Sequence, residues 1–514
     1  METAIETERK YDVPAGFVLP KLAGAGTAAT IDLDATYFDT DDLRLARNRR
    51  TLRRRTGGED AGWHLKTPGE GASRTEHRLP LNGDVSAPNG TKRNSNAKPT
   101  GKAGSGGKAG RDGKAGWDGK AGWDGGEAVP EALRAEVRAI IRDQALRPVA
   151  RLRTRRIETP VRDAAGRTLA LIAQDDVTAE TDGREQRWQE LEVELVDGGP
   201  KVLKTVERVL LAAGATPAAG PSKLARALAG RLPAGESAPA NLNPVLAYAR
   251  EQRDAIATYD PGVRHGDVES VHRMRVATRR LRGTLKTFKR SFPAELAARI
   301  GPELKWLAGQ LGEVRDGQVL EQKLLASIEA EGPAFAPVAA RVRDYLDAKV
   351  RDGRAALDGD LNGDRYLGLL DAIDELVYDP DRGEADPLRP ARKALRTADS
   401  LLDEAITDGV DAELHDARKA YKRARYAIEV FVPSVGRPAK GLAGALTDLQ
   451  DVLGAHQDSV VAREILRELA AGADDAFEYG ILYARQEQVG RDTFGDLPVA
   501  IEAAGKPKLR AWLG

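Results

Sequence analysis

The chain contains no cysteine, which excludes disulfides, thiolate metal sites and cysteine nucleophiles. It also has no run approaching the ~18 apolar residues that a membrane-spanning helix requires. Its N-terminus shows neither an apolar h-region nor a cleavage pattern, so a soluble, cytoplasmic protein is the expectation. An excess of charge of one sign is missing too. Lys+Arg and Asp+Glu are 79 each, so bulk charge points to no anionic partner and only its distribution can. Aromatics are scarce, at 5%, while charged residues reach 31%, a balance that reads as soluble and helix-rich.

With 514 residues, two or three domains are expected. Residues 1–85 alternate in the manner of strands. A Gly-rich stretch at 86–126 follows, with the repeated hexads GKAGSG, GKAGRD, GKAGWD and GKAGWD from Gly101. Glycine at this density cannot offset its ordering entropy, which predicts a flexible insert. Its GK pairs lack the spacing of a phosphate loop. Strand signals return from Pro148 to Val196, and two short helical segments close a first domain at about 230. The stretch 231–244 reads as a linker. A helical domain follows over 245–505. Within it, "VHRMRVATRRLRGTLKTF" (271–288) aligns without gaps on "LHDARKAYKRARYAIEVF" (414–431), and "LGEVRD" (311–316) pairs with "LGAHQD" (453–458). Two related helical halves are the economical reading.

In the first domain, charges recur at every second position. On a strand such residues share a face. "IETERK" places Glu6, Glu8 and Lys10 together, "TLRRRT" Arg53 and Arg55, and "GWHLKTP" His64 and Lys66. "RTEHRLPL" places Arg74, Glu76 and Arg78, "ARLRTRRIE" Arg151, Arg153 and Arg155, and "WQELEVEL" Glu190, Glu192 and Glu194. If the strands close into a barrel, these faces line its interior, which is costly unless the charges pair or hold ligands. Gathered carboxylates suit an oxygen-liganded divalent cation, and Arg and Lys suit phosphate oxygens. Together they are what metal-assisted phosphoryl transfer to water needs.

Those motifs, together with "YFDTDDLRLARNRRTLRRRT" and the late "SKL", resemble the CYTH, or triphosphate tunnel metalloenzyme, family. The resemblance implies an eight-stranded antiparallel β tunnel with flanking helices that cleaves a triphosphate with Mg²⁺ or Mn²⁺. Carried over by position, Glu6, Glu8, Glu190 and Glu192 become catalytic acids and metal ligands. Lys10, Arg53, Arg55, Lys66, Arg78, Arg153, Arg155 and Lys223 become triphosphate ligands. Glu76 is a further inward acid, with Asp175 and Asp176 as alternatives for another. His64 reads as a packing histidine, and Trp188 as a lid or rim residue.

In the helical domain, Val271, Met274, Thr278, Leu281, Leu285 and Phe288 mark a buried stripe, spaced three and four apart. A basic stripe follows one position on, at His272, Arg275, Arg279, Arg282 and Lys286, and again at His415, Arg418, Lys422 and Arg425. Like charges one turn apart repel, so an anion beside both copies would rationalise the pattern. The paired "H-x-x-R-x-x-x-[RK]-R-x-R" helices resemble the CHAD domain. This resemblance implies an all-α domain of two pseudo-symmetric bundles that binds inorganic polyphosphate. Its ligands would be His272, Arg275, Arg279, Arg280, Arg282, His415, Arg418, Lys422, Arg423 and Arg425. Gln457 stands where the first copy has Arg315.

The expected protein is therefore an α+β multidomain triphosphatase fused to a polyphosphate-binding module, cytoplasmic or associated with polyphosphate granules. A polyphosphate binder without catalysis is the alternative reading, and adenylate cyclase ranks lower. A nucleic-acid partner is disfavoured and no membrane partner is expected. Oligomeric state is left open.

Overall fold

The computed structural model describes residues 1–68, 73–81, 128–232, 243–378, 386–408, 411–473 and 476–514. The expected insert at 86–126, and most of the expected linker, lie outside these. The chain divides into two units, 1–236 and 237–514.

The first unit is a closed antiparallel barrel of eight strands. In chain order these are β1 (Glu2–Asp12), β2 (Ala29–Asp39), β3 (Thr51–Thr56), β4 (Gly62–Pro68), β5 (Ser73–Pro80), β6 (Arg147–Arg162), β7 (Thr168–Thr181) and β8 (Arg184–Leu195). Their order around the sheet is β5-β4-β3-β2-β6-β7-β8-β1, and pairing of β1 with β5 closes the circle. A two-residue strand, β9 (Thr216–Pro217), extends β1. Among the described residues four helices accompany the barrel: α1 (Arg44–Arg47), α2 (Glu131–Ile141), α3 (Pro200–Ala212) and α4 (Lys223–Ala227).

Register defines which side chains share a face. Lys10 lies opposite Glu192, Ala173 opposite Glu192, Asp175 opposite Glu190, and Arg156 opposite Asp175. These residues point into the barrel. The alternate positions form an outer apolar face, where Tyr11, Ile172, Leu191 and Val193 are buried with Leu203, Val206 and Leu210 of α3. A charged lumen thus forces one core to lie outside the barrel, under α3. A second cluster joins Tyr37, Ala150, Leu152 and Val177, all of inward parity, to Leu224 and Ala227 of α4 and to Leu228 just after it. These apolar side chains fill one end of the barrel and fix the start of α4, where Lys223 stands. Ser222 caps that helix by accepting from the Ala225 N–H at 3.1 Å.

The second unit is helical. Its first run is α5 (Pro244–Arg264), α6 (Val268–Thr287), α7 (Ala294–Glu329) and α8 (Ala336–Asn362), followed by α9 (Asp364–Tyr378). A similar order then repeats in α10 (Leu388–Asp408), α11 (Asp411–Glu429), the short α12 (Val432–Val435), α13 (Arg437–Ala470) and α14 (Ala476–Gly505), before a short terminal α15 (Pro507–Arg510). The aligned segments fall on α6 and α11. The two "LG" motifs fall on α7 and α13, which span 36 and 34 residues. The buried stripe forms as the spacing predicts: Val271, Met274, Thr278, Leu281, Leu285 and Phe288 are all buried. So are Leu414, Ala417, Tyr421, Ala424, Ile428 and Phe431. The helices α6 and α11 pack on one another. Gly283 permits this approach, because a Cβ there would lie 3.1 Å from the Tyr426 ring. No described helix is long and apolar enough to cross a membrane.

Candidate active site and anion-binding surface

The barrel lumen holds two linked sets of charges. In the first, Glu6 meets Lys66 and accepts from Arg78 at 3.2 Å. Glu76, 1% exposed, pairs with Arg78 and lies 3.7 Å from Lys66. Both ring nitrogens of His64 face acceptors, Glu76 Oε1 at 3.0 Å and the Asp60 carbonyl at 2.8 Å. His64 therefore anchors a lumen acid, as a buried positioning group. Arg53 donates to the Tyr37 hydroxyl at 3.3 Å, and Arg55 pairs with Asp60.

In the second set, Asp175, Glu190 and Glu192 each bring a carboxylate oxygen within 4.8 Å of the others. Lys223 Nζ sits among them at 2.8, 2.9 and 2.8 Å. Arg156 donates to Asp175 through two bonds, 2.8 and 2.7 Å, and to Glu192 at 2.7 Å. Lys10 joins the sets, bonding Glu192 and, at 3.0 Å, Glu8. Burial opposes ionisation of Glu192, yet Lys10, Lys223 and Arg156 hold its carboxyl well below the usual range. Glu194 has only Lys66 to offset its burial. Burial, reinforced by Glu6, Glu8 and Glu192, pushes it up to about 7.

These contacts place most of the sequence-predicted residues on one inner surface: Glu6, Glu8, Lys10, Arg53, Arg55, Lys66, Arg78, Glu190, Glu192 and Lys223. The acids divide, however. Glu190 and Glu192 gather with Asp175, whereas Glu6 and Glu8 stand with the basic residues of β1, β4 and β5. Arg153 and Arg155 do not join the lumen. They lie on the outer face of β6, opposite Asp34 and Asp32 across β2, where cross-strand charge pairs are favourable. The Arg153 side chain is 56% exposed. The run "RTRR" carries arginine on both parities, and Arg156, which the alternation argument passed over, is the inward one. Its bond to Asp175 also settles the neighbouring ambiguity, since Asp176 faces outward and accepts from Gln189 at 2.7 Å. Trp188 donates to Glu190 at 2.6 Å, with the Arg226 guanidinium over its ring. Beside Glu8 and Lys10 a cavity of about 290 Å³ opens, lined also by Arg49, Ser73 and Arg74.

In the helical unit the basic stripes face different partners. Arg275 makes two bonds to Asp316, of 2.8 and 2.6 Å. Arg280 and Arg425 converge on Glu429 at 2.9 and 2.7 Å, and Tyr248 donates to the same carboxylate at 2.7 Å. This knot ties α5, α6 and α11 together and occupies two of the expected anion ligands. Arg279, Arg418 and Lys422 crowd one another instead. Burial, then Arg279, Arg418 and Arg275, bring the Lys422 ammonium down to about 7. At the far end of α6, Arg423, together with burial, Arg282 and Lys289, pushes Lys286 down as well. His272 and His415 are both lowered, first by burial and then by neighbouring cations.

The family model of the CYTH domain matches residues 4–227, and that of the CHAD domain matches residues 247–467. The chain is 35% identical to uncharacterized protein MT2285 of Mycobacterium tuberculosis (strain CDC 1551 / Oshkosh), over 99% of this chain and 98% of that protein. It belongs to the CYTH–CHAD proteins. Among solved structures, PptA from Streptomyces chartreusis is similar over 50% of this chain and 98% of its own (18% identity, TM-score 0.44). The CHAD domain from the plant Ricinus communis is similar over 52% of this chain and 90% of its own (29% identity, TM-score 0.38).

The acid cluster of this CYTH domain fits a metal on chemical grounds. All its donors are carboxylate oxygens, the set that a hard divalent cation takes, and no described cysteine or histidine belongs to it.

Proposed function

We propose that the CYTH barrel hydrolyses the terminal phosphoanhydride of a triphosphate, inorganic triphosphate first, and that the CHAD domain binds inorganic polyphosphate. The observation that carries the first half is the closed lumen in which three gathered carboxylates adjoin a cage of Lys and Arg. Asp175, Glu190 and Glu192 would hold Mg²⁺ or Mn²⁺, which supplies charge neutralisation on the phosphate oxygens. Lys10, Arg53, Arg55, Lys66, Arg78 and Arg156 would grip the polyanion and fix its axis along the barrel. Glu6 and Glu8, on the opposite set, would orient the attacking water. Hydrolysis of a phosphoanhydride needs positioning and charge stabilisation and no side-chain nucleophile, so the lack of cysteine costs the reaction nothing.

Most lumen cations and acids pair with one another before any ligand arrives. Such internal compensation lets a charged interior fold, and substrate oxygens would replace carboxylates as partners of the basic groups. Phosphate release from tripolyphosphate by the purified chain, with each metal and with chelator, tests the proposal. Retention of polyphosphate without release would favour the non-catalytic reading.

The second half of the proposal is supported by the Arg279, Arg418 and Lys422 cluster. Three cations are held close without an equal number of acids, an arrangement that a row of phosphates would relieve.

A further inference from the structure

The two halves of the helical domain carry the same three parts. An arginine on α6 or α11 (Arg275, Arg418) lies across a glycine on α7 or α13 (Gly312, Gly454), with an aspartate four residues further on (Asp316, Asp458). The glycines are notches. A Cβ at Gly312 would lie 3.5 Å from the Arg275 guanidinium, and one at Gly454 only 3.0 Å from Arg418 Nη2.

The parts are wired differently. In the first half Asp316 grips Arg275 through two hydrogen bonds. In the second, Asp458 accepts from Lys323 of α7 at 2.7 Å and no described hydrogen bond joins it to Arg418. The buried Nε lacks a partner in both arginines, so the halves differ at the terminal guanidinium nitrogens. Asp458 is near enough to act on Arg418 electrostatically, but its carboxylate is turned to the lysine. Arg279 and Lys422 stand beside the uncapped arginine; Asp316 partly offsets the cations around Lys422 and, after Asp458, acts on Arg418 as well. Lys323 has no counterpart role in the first half, where the corresponding aspartate is spent on its own arginine.

We propose that the two related halves are unequal anion sites: Arg418, with Arg279 and Lys422, is the primary anchor for polyphosphate, and Lys323 keeps that anchor open by holding Asp458. Arg275, capped by Asp316, is the secondary contact, engaged only when phosphate displaces the carboxylate. The inference rests on the polyphosphate reading of this domain and deepens it.

The test is equilibrium binding of the full chain to inorganic polyphosphate of one defined length, with duplex DNA measured alongside. Lys323→Ala frees Asp458 to cap Arg418, and a charge-assisted hydrogen bond of that kind is worth about tenfold in affinity. Binding by Lys323→Ala should therefore fall by about tenfold, and Lys323→Ala/Asp458→Asn should restore it to the wild-type level. Asp316→Asn should tighten binding by roughly threefold, within the range of an exposed ion pair. Lys323 is 58% exposed and Asp316 69%, so these variants should melt with the wild type, which thermal unfolding checks. Equal losses in the single and double variants would show Lys323 acting only as one more positive charge, and the inference would be wrong. A wild-type chain that holds polyphosphate no better than DNA would instead overturn the functional reading beneath it.

Discussion

Arg156 and Asp175, directly opposed on the neighbouring strands β6 and β7, meet on the lumen wall through two parallel hydrogen bonds of 2.8 and 2.7 Å. A bidentate pair of this kind fixes both side chains in one plane. It aims the remaining reach of Arg156 at Glu192, so one guanidinium orients two members of the acid cluster. Arg156→Ala should lower the rate of phosphate release by roughly 100-fold, the scale of losing one preorganised charge-stabilising group. Arg153→Ala and Arg155→Ala should each stay within about threefold of wild type, since outer-face ion pairs contribute little. Steady-state kinetics on the three variants decides which parity of β6 faces the substrate.

A second prediction concerns stability. Glu429 gathers Arg280, Arg425 and Tyr248. Removing the shared acid leaves two half-buried cations without it, a change that costs roughly 1–2 kcal/mol, below the range for a fully buried pair. Glu429→Ala should lower the unfolding midpoint of the helical domain in denaturant while the barrel domain's transition stays where it was. Arg280→Ala should likewise cost more in stability than in polyphosphate affinity, because its guanidinium is already engaged.

The third concerns pH. Lys422 loses its proton at about 7 in the free protein, and a bound polyanion raises that value. Binding therefore takes up a proton above pH 7, and affinity falls as pH rises through 7 toward the bound-state pKa. Linkage limits the slope to about tenfold per pH unit for one group. His272 and His415, with lowered values, add in the same direction at lower pH. Titration calorimetry at pH 8 in two buffers of different ionisation heat should show proton uptake. Lys422→Arg, charged throughout, should abolish the component above pH 7. Affinity that is flat from pH 7 to 9 in the wild type would contradict it.

Much of this arrangement was legible in the residue pattern, and the limits are instructive. Alternation alone placed Glu6, Glu8 and Lys10 on one face, because a strand has no other way to distribute them. It failed at Arg153 and Arg155. The adjacent pair Arg155–Arg156 offers a cation to each side, and only the register against Asp175 chooses between them. The same register separates Asp175 from Asp176. Local spacing could not show that Glu6 and Glu8 lie apart from the cluster of Asp175, Glu190 and Glu192, since that depends on how strands far apart in sequence close around the barrel. In the helices, periodicity located both basic stripes. The capture of Arg280 by Glu429, and of Asp458 by Lys323, arises from packing between helices and leaves no signal in either repeat alone, whereas the Arg425–Glu429 pair, four residues apart on α11, was readable from spacing.

The account stands most directly on phosphate release from tripolyphosphate with Mg²⁺, with Mn²⁺ and with chelator, measured beside Glu192→Gln. The expected result is metal-dependent release that chelator abolishes and that Glu192→Gln lowers by at least about 100-fold, with folding intact by circular dichroism. Release that survives chelator, or a folded Glu192→Gln chain as fast as wild type, would contradict a metal site built on Asp175, Glu190 and Glu192.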